Sequence, residues 1–148
     1  MLHDESLTIL MVEDDPGHAR LIERNLRRAN VTNDIVVVSD GYEAIDYFFG
    51  ENGYVNQARF PPLLILLDLN LPGLSGLQVL ERLKADSRTQ SLPVIILTTT
   101  EEPQEIQRCY ALGCNVYITK PVVYKEFADA VQKLGLFLSI IKVSNGGS

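Results

Sequence analysis

Five apolar residues, Leu63-Leu64-Ile65-Leu66-Leu67, run without a break into Asp68, and Pro72, Gly73 and Gly76 follow shortly after. The run is far shorter than the roughly 18 residues of a membrane span and lacks helical periodicity, so it predicts a strand buried on both faces. Such a strand belongs in a parallel sheet covered by helices, which restricts the chain to the α/β class. Asp68 then stands where the strand opens into a turn, at the sheet edge where open α/β folds bind ligands. An aspartate in that place is either a turn cap or a group with chemistry to perform.

The rest of the chain alternates as this strand requires. Leu7–Val12 is an apolar run ending in Glu13-Asp14-Asp15, and Pro16 suits a first helical turn with Asp15 as its N-cap. Ala19, Ile22, Leu26 and Ala29 recur at helical spacing. Ile35–Ser39 predicts a strand, Asp40-Gly41 a turn, and Ala44, Ile45, Phe48 and Phe49 a helix. Residues 50–62 read as a polar connection containing Gly and Pro, long for a compact domain. Beyond the central strand, Leu77, Leu80 and Leu83 mark a helix that stops near Asp86. Pro93–Leu97 is a strand closing on Thr98-Thr99-Thr100, and Glu101–Leu112 a helix with Gly113 as its C-terminal cap. Asn115–Thr119 is a short strand ending in Lys120-Pro121, and a last helix starts near Val122 and continues through Phe127, Val131, Leu134 and Leu138. Strand and helix alternate five times, predicting a five-stranded parallel sheet with helices on both faces. One domain over 1–143 and a disordered tail at 144–148 complete the expected organisation.

Charge and cysteines narrow the function classes. The net charge is −6, and the 13 basic residues form no dense patch, which argues against direct nucleic-acid binding. Neither a signal peptide nor a membrane-spanning run is present, so a soluble, cytoplasmic protein is expected. Cys109 and Cys114 have no His nearby and no second pair, and read as two buried, reduced thiols. His3 and His18 belong to no ligand motif.

All strands of a parallel sheet point one way, so the groups at their carboxyl ends collect on one edge. These are Glu13 and Asp14, Asp68, Thr98 and Lys120. Three carboxylates so placed repel one another and call for a counter-charge. Oxygen ligands at that density suit a hard divalent cation, and few protein ligands with retained waters suit Mg²⁺. A cation, an ammonium and a hydroxyl around one aspartate make a receptor for an anion with several oxygens, the equipment of phosphoryl transfer. Asp68 is then the nucleophile, since carboxylates form aspartyl-phosphates.

In the order VEDDP at 12–16, DLNLPGLSG at 68–76, LTT at 97–99 and YITKP at 117–121, the chain resembles the receiver domains of bacterial two-component response regulators. The resemblance covers Thr8 to about Leu138 and implies a flavodoxin-like three-layer (βα)5 fold. It implies that Glu13 and Asp14 hold the metal, Asp68 is the phosphoacceptor, and Asn70 ligates the metal through its backbone carbonyl. Thr98 becomes the switch hydroxyl and Lys120 the phosphate-binding lysine. Tyr117 becomes the aromatic that changes rotamer on activation, and Pro121 the proline that follows an often cis bond. Thr99, bulkier than the small residue usual there, departs from the pattern and restricts access to the phosphate. The 50–62 loop, the extended last helix and a length without room for an output domain resemble the stand-alone regulators paired with cyanobacterial-type phytochrome histidine kinases. The implied partners are a sensor histidine kinase and a second copy, in a homodimer built on the fourth helix, fifth strand and extended fifth helix.

Two other classes share parts of this pattern. A dehalogenase-type phosphohydrolase would carry a second acid at the position of Asn70, and a cap insertion after the first strand. A flavodoxin-like cofactor module would carry a Gly-rich phosphate loop there instead of acids.

Overall fold

A computed structural model describes residues 7–28, 31–58, 62–120 and 125. The described residues form five strands, β1 (Thr8–Val12), β2 (Ile35–Val38), β3 (Leu63–Leu67), β4 (Val94–Thr98) and β5 (Val116–Thr119). Between them lie α1 (Pro16–Arg28), α2 (Gly41–Phe49), α3 (Gly76–Ala85) and α4 (Pro103–Leu112). The sheet is parallel throughout, in the order β2-β1-β3-β4-β5. The expected last helix, Pro121, the 144–148 tail and His3 lie outside the described residues.

Strand side chains alternate between two cores. Leu10, Val12, Ile65, Leu67, Val94 and Ile96 face one side, where Phe48 of α2, Leu80 of α3 and Cys109 of α4 cover them. Ile9, Met11, Leu64, Leu66, Ile95 and Leu97 face the other, under Ala19, Ile22 and Leu26 of α1. All five β3 residues are buried, as a strand covered on both faces must be.

Local signals set the helix ends. Asp15 Oδ1 accepts the N–H groups of Gly17 and His18 at 2.8 and 3.1 Å, capping α1 behind Pro16. Asp40 accepts from Glu43 N–H to start α2. Ser75 and Gln78 form a reciprocal capping box on α3, and α4 ends at Gly113 with φ of 109°, left-handed backbone that glycine adopts without strain. Both cysteines are free and buried, as expected. Burial pushes the Cys114 thiol up to about 12 and the Cys109 thiol in the same direction, so neither is a ready nucleophile.

The 50–62 connection differs from the polar loop expected. Tyr54–Asn56 forms a single 3-10 turn whose Tyr54 and Val55 are buried in the α2 core. The Tyr54 ring stands edge-on to Phe48 with centroids 5.9 Å apart. Two adjacent apolar residues in one short turn carry no periodicity, so the pattern that marks longer elements does not register them.

Candidate functional site

The ladder bonds run one residue past the strands and align their carboxyl ends. Glu13 N–H donates to Val38 O at 3.0 Å, Asp68 N–H to Val12 O at 3.1 Å, and Lys120 N–H to Thr98 O at 2.8 Å. The side chains leaving these positions therefore meet. Carboxylate oxygens of Glu13, Asp14 and Asp68 all lie within 4.8 Å of one another. Glu13 and Asp68 are buried and Asp14 is exposed, so the cluster opens to solvent on the Asp14 side. Lys120 reaches in from β5: its Nζ donates to Asp68 Oδ2 at 2.9 Å and pairs with Glu13 Oε1.

Burial and charge oppose each other here. Burial, joined by the nearby Asp68 charge, raises the Glu13 pKa from its ordinary value, although Lys120 and the Asp15 N–H pull it down. For Lys120, burial disfavours the charged form, but the bonds and charges of Glu13 and Asp68 outweigh it and hold the ammonium above its ordinary value. Three carboxylates and one ammonium leave the cluster with two surplus negative charges, the amount that a divalent cation neutralises. An all-oxygen donor set suits a hard cation, so the residues present fit Mg²⁺.

The turn after β3 shapes the mouth. Asn70 N–H donates to Asp68 Oδ1 at 3.0 Å, turning the carboxylate toward the edge. The Asn70 side-chain amide crosses to β4 and reaches Thr98 Oγ1 at 3.2 Å and Thr99 Oγ1 at 3.3 Å. Thr98 is buried at the end of β4, whereas Thr99 is exposed and tied to Asn70 at the rim. Tyr117, on β5, donates its hydroxyl to Thr100 O at 2.6 Å, and its backbone N–H donates to the hydroxyl of Tyr110. Burial pushes the Tyr117 phenol up to about 12, so it stays a neutral donor. The geometry thus brings together Glu13, Asp14, Asp68, Asn70, Thr98 and Lys120, with Tyr117 behind the threonine loop.

The sequence reading missed His18. Its Nδ1 lies 3.2 Å from Lys120 Nζ and 3.8 Å from Glu13 Oε1, on the first turn of α1. The available signal was position alone, since a helix starting directly after Glu13-Asp14-Asp15 carries its first turn over the same edge.

The family model of the response regulator receiver domain matches residues 9–132. The chain belongs to the receiver domain family. A receiver domain from Rhodospirillum rubrum is 54% identical, with a TM-score of 0.74 and coverage of 92% of this chain and 96% of that one. The bacteriophytochrome response regulator RtBRR is 36% identical at a TM-score of 0.79, covering 94% of this chain and 84% of its own. The response regulator Rcp1 of Synechocystis is 33% identical over 129 residues, 87% of this chain and 86% of that protein. Rcp1 has a crystal structure in a Mn²⁺-bound form, which covers 93% of this chain and 98% of that one at a TM-score of 0.71. As a receiver, the protein is a response regulator of phosphorylation-activated two-component signalling, not an enzyme of the ordinary kind. Receiver domains accept phosphoryl groups from histidine kinases, and the phosphohydrolase and cofactor-module readings fall away. Among the described residues, no helix is long and apolar enough to cross a membrane.

Proposed function

We propose that Asp68 is the phosphoacceptor of this receiver and that Glu13, Asp14, Asp68 and the backbone carbonyl of Asn70 hold Mg²⁺. The observation that carries the reading is the convergence of two further carboxylates and one lysine on a single buried aspartate. Bound Mg²⁺ supplies positive charge to the oxygens of the phosphoryl group during transfer. A carboxylate oxygen of Asp68 attacks the phosphorus of a phosphohistidine in line. The P–N bond breaks, and the imidazole leaves with its electron pair. Lys120, already 2.9 Å from Asp68 Oδ2, meets the arriving oxygens. Water later attacks the phosphorus and returns the carboxylate, so the receiver takes part in its own dephosphorylation.

The donor is a sensor histidine kinase, a phytochrome in the reading supported by the likeness to RtBRR and Rcp1. The test of the metal assignment is titration calorimetry. Asp14→Ala should weaken Mg²⁺ binding by at least the roughly tenfold that loss of a mere outer-shell partner costs. Unchanged affinity would count against the site.

Phosphate on Asp68 adds acceptor oxygens and roughly −1.5 to −2 of charge, and so draws the O–H of Thr98, whose oxygen accepts from the Asn70 amide at 3.2 Å. When Thr98 moves, Tyr117 turns into the space behind it and remodels the surface of α4 and β5, where Tyr110 is exposed. That surface forms a homodimer. In sedimentation with acetyl phosphate, wild type should shift toward dimer, while Lys120→Ala should take up phosphate without shifting. A wild type that stays monomeric at high concentration, phosphorylated or not, removes the dimer. A normal shift in Lys120→Ala removes that role of the lysine.

A further inference from the structure

Lysine carries three N–H donors, and in this pocket each has an acceptor. Two are carboxylates delivered by the sheet, Glu13 Oε1 after β1 and Asp68 Oδ2 after β3. The third is His18 Nδ1 of α1, 3.2 Å from Nζ. Only 6% of the Lys120 side chain is exposed, so water is a poor substitute for a missing acceptor.

The imidazole has a neighbour at each of its nitrogens. Nδ1 lies 3.8 Å from Glu13 Oε1, and two acceptors that close repel unless a donor lies between them. The Lys120 ammonium is that donor. A ring nitrogen that accepts from an ammonium is unprotonated, which puts the ring proton on Nε2. Nε2 faces Asp15 Oδ2 at 3.9 Å, and Asp15 is itself fixed by the N–H groups of Gly17 and His18. The far edge of the ring thus looks toward the cap of α1, beyond hydrogen-bond distance, while Nδ1 meets the ammonium.

We infer that His18 is a positioning residue for phosphoryl transfer: its Nδ1 fixes the Lys120 ammonium over Asp68, where the phosphoryl oxygens arrive. Without the third acceptor, the ammonium keeps only its two carboxylates and turns about the line between them. It is then drawn down into the acid pair and away from the mouth. The inference rests on Asp68 as the phosphoacceptor and adds a residue that the strand ends do not supply.

The experiment compares His18→Leu, His18→Asn and His18→Gln with wild type. Asparagine places an amide oxygen near the position of Nδ1, whereas glutamine reaches that of Nε2. The first readout is the initial rate of labelling by acetyl phosphate at saturating Mg²⁺, which involves no kinase docking. His18→Leu and His18→Gln should be about tenfold slower, below the roughly hundredfold cost of a misplaced catalytic group, and His18→Asn should recover near the wild-type rate. The second readout is the imidazole ¹⁵N spectrum of the unphosphorylated protein. It should show the proton on Nε2 and an accepting Nδ1 whose signature disappears in Lys120→Ala. His18 is about half exposed, so each variant should fold, which the melting temperature verifies. A wild-type rate in His18→Leu overturns the inference, as does an asparagine no better than leucine, a glutamine equal to asparagine, or a proton on Nδ1. If wild type itself takes up no phosphate, the proposed function has failed and this inference falls with it.

Discussion

Asp68→Asn is expected to abolish phosphoryl uptake from both acetyl phosphate and a phosphorylated kinase. The amide that replaces the carboxylate has no anionic oxygen to attack phosphorus, and a metal ligand is lost with it. The fold should survive. The amide oxygen can still accept the Asn70 N–H that now reaches Asp68 Oδ1 at 3.0 Å. Removing the Asp68 charge also takes away one of the influences that raise the Glu13 pKa. The Lys120 ammonium loses the acceptor it has in Asp68 Oδ2 at 2.9 Å, so loss of labelling with a cooperative but lowered melting transition is the predicted pair of results. Acid-labile phosphate persisting in the variant would put the acceptor elsewhere.

The largest stability effect is expected from Gly76→Ala, at the first residue of α3. A Cβ built on Gly76 would lie 2.0 Å from the carbonyl oxygen of Asp68 and 2.6 Å from the Cα of Leu69. Both are backbone atoms at the end of the central strand, and no side chain can swing aside to relieve them. Alanine favours a helix over glycine by up to about 1 kcal/mol, while overpacking of this kind costs about 2–3 kcal/mol, so the clash wins. The net loss of about 1–2 kcal/mol corresponds to a fall in Tm of roughly 2–8 °C for a chain of this size. Relief of the clash must move Asp68, so the phosphorylation rate should fall as well. A variant melting with wild type and phosphorylating at its rate would show that the helix does not press on the strand.

Leu63–Leu67 and Val94–Thr98 were legible because strands buried on both faces are written as unbroken apolar runs. Asp15 and Gly113 were legible because caps have their own chemistry, whereas Asp40 read as part of a turn and proves to cap α2. The site followed from those two facts plus parallel order, which sends Glu13, Asp68, Thr98 and Lys120 to one edge whatever their distance in sequence. Features made by loops were not legible. Tyr54 and Val55 enter the core through a single turn, and the Asn70 amide reaches two threonines on another strand. The difference between buried Glu13 and exposed Asp14 also lay beyond pattern, because side-chain alternation loses its meaning once the strand ends. His18 belongs with these, being placed by the pitch of α1 and not by any motif.

The central claim is tested most directly on the wild-type protein, incubated with acetyl phosphate and Mg²⁺, reduced with borohydride and mapped by peptide mass. The predicted result is one reduced residue, Asp68, present with Mg²⁺ and absent when the metal is chelated. Labelling at Glu13, at Asp14 or at a residue outside the cluster, or labelling of Asp68 that chelation leaves unchanged, would contradict it.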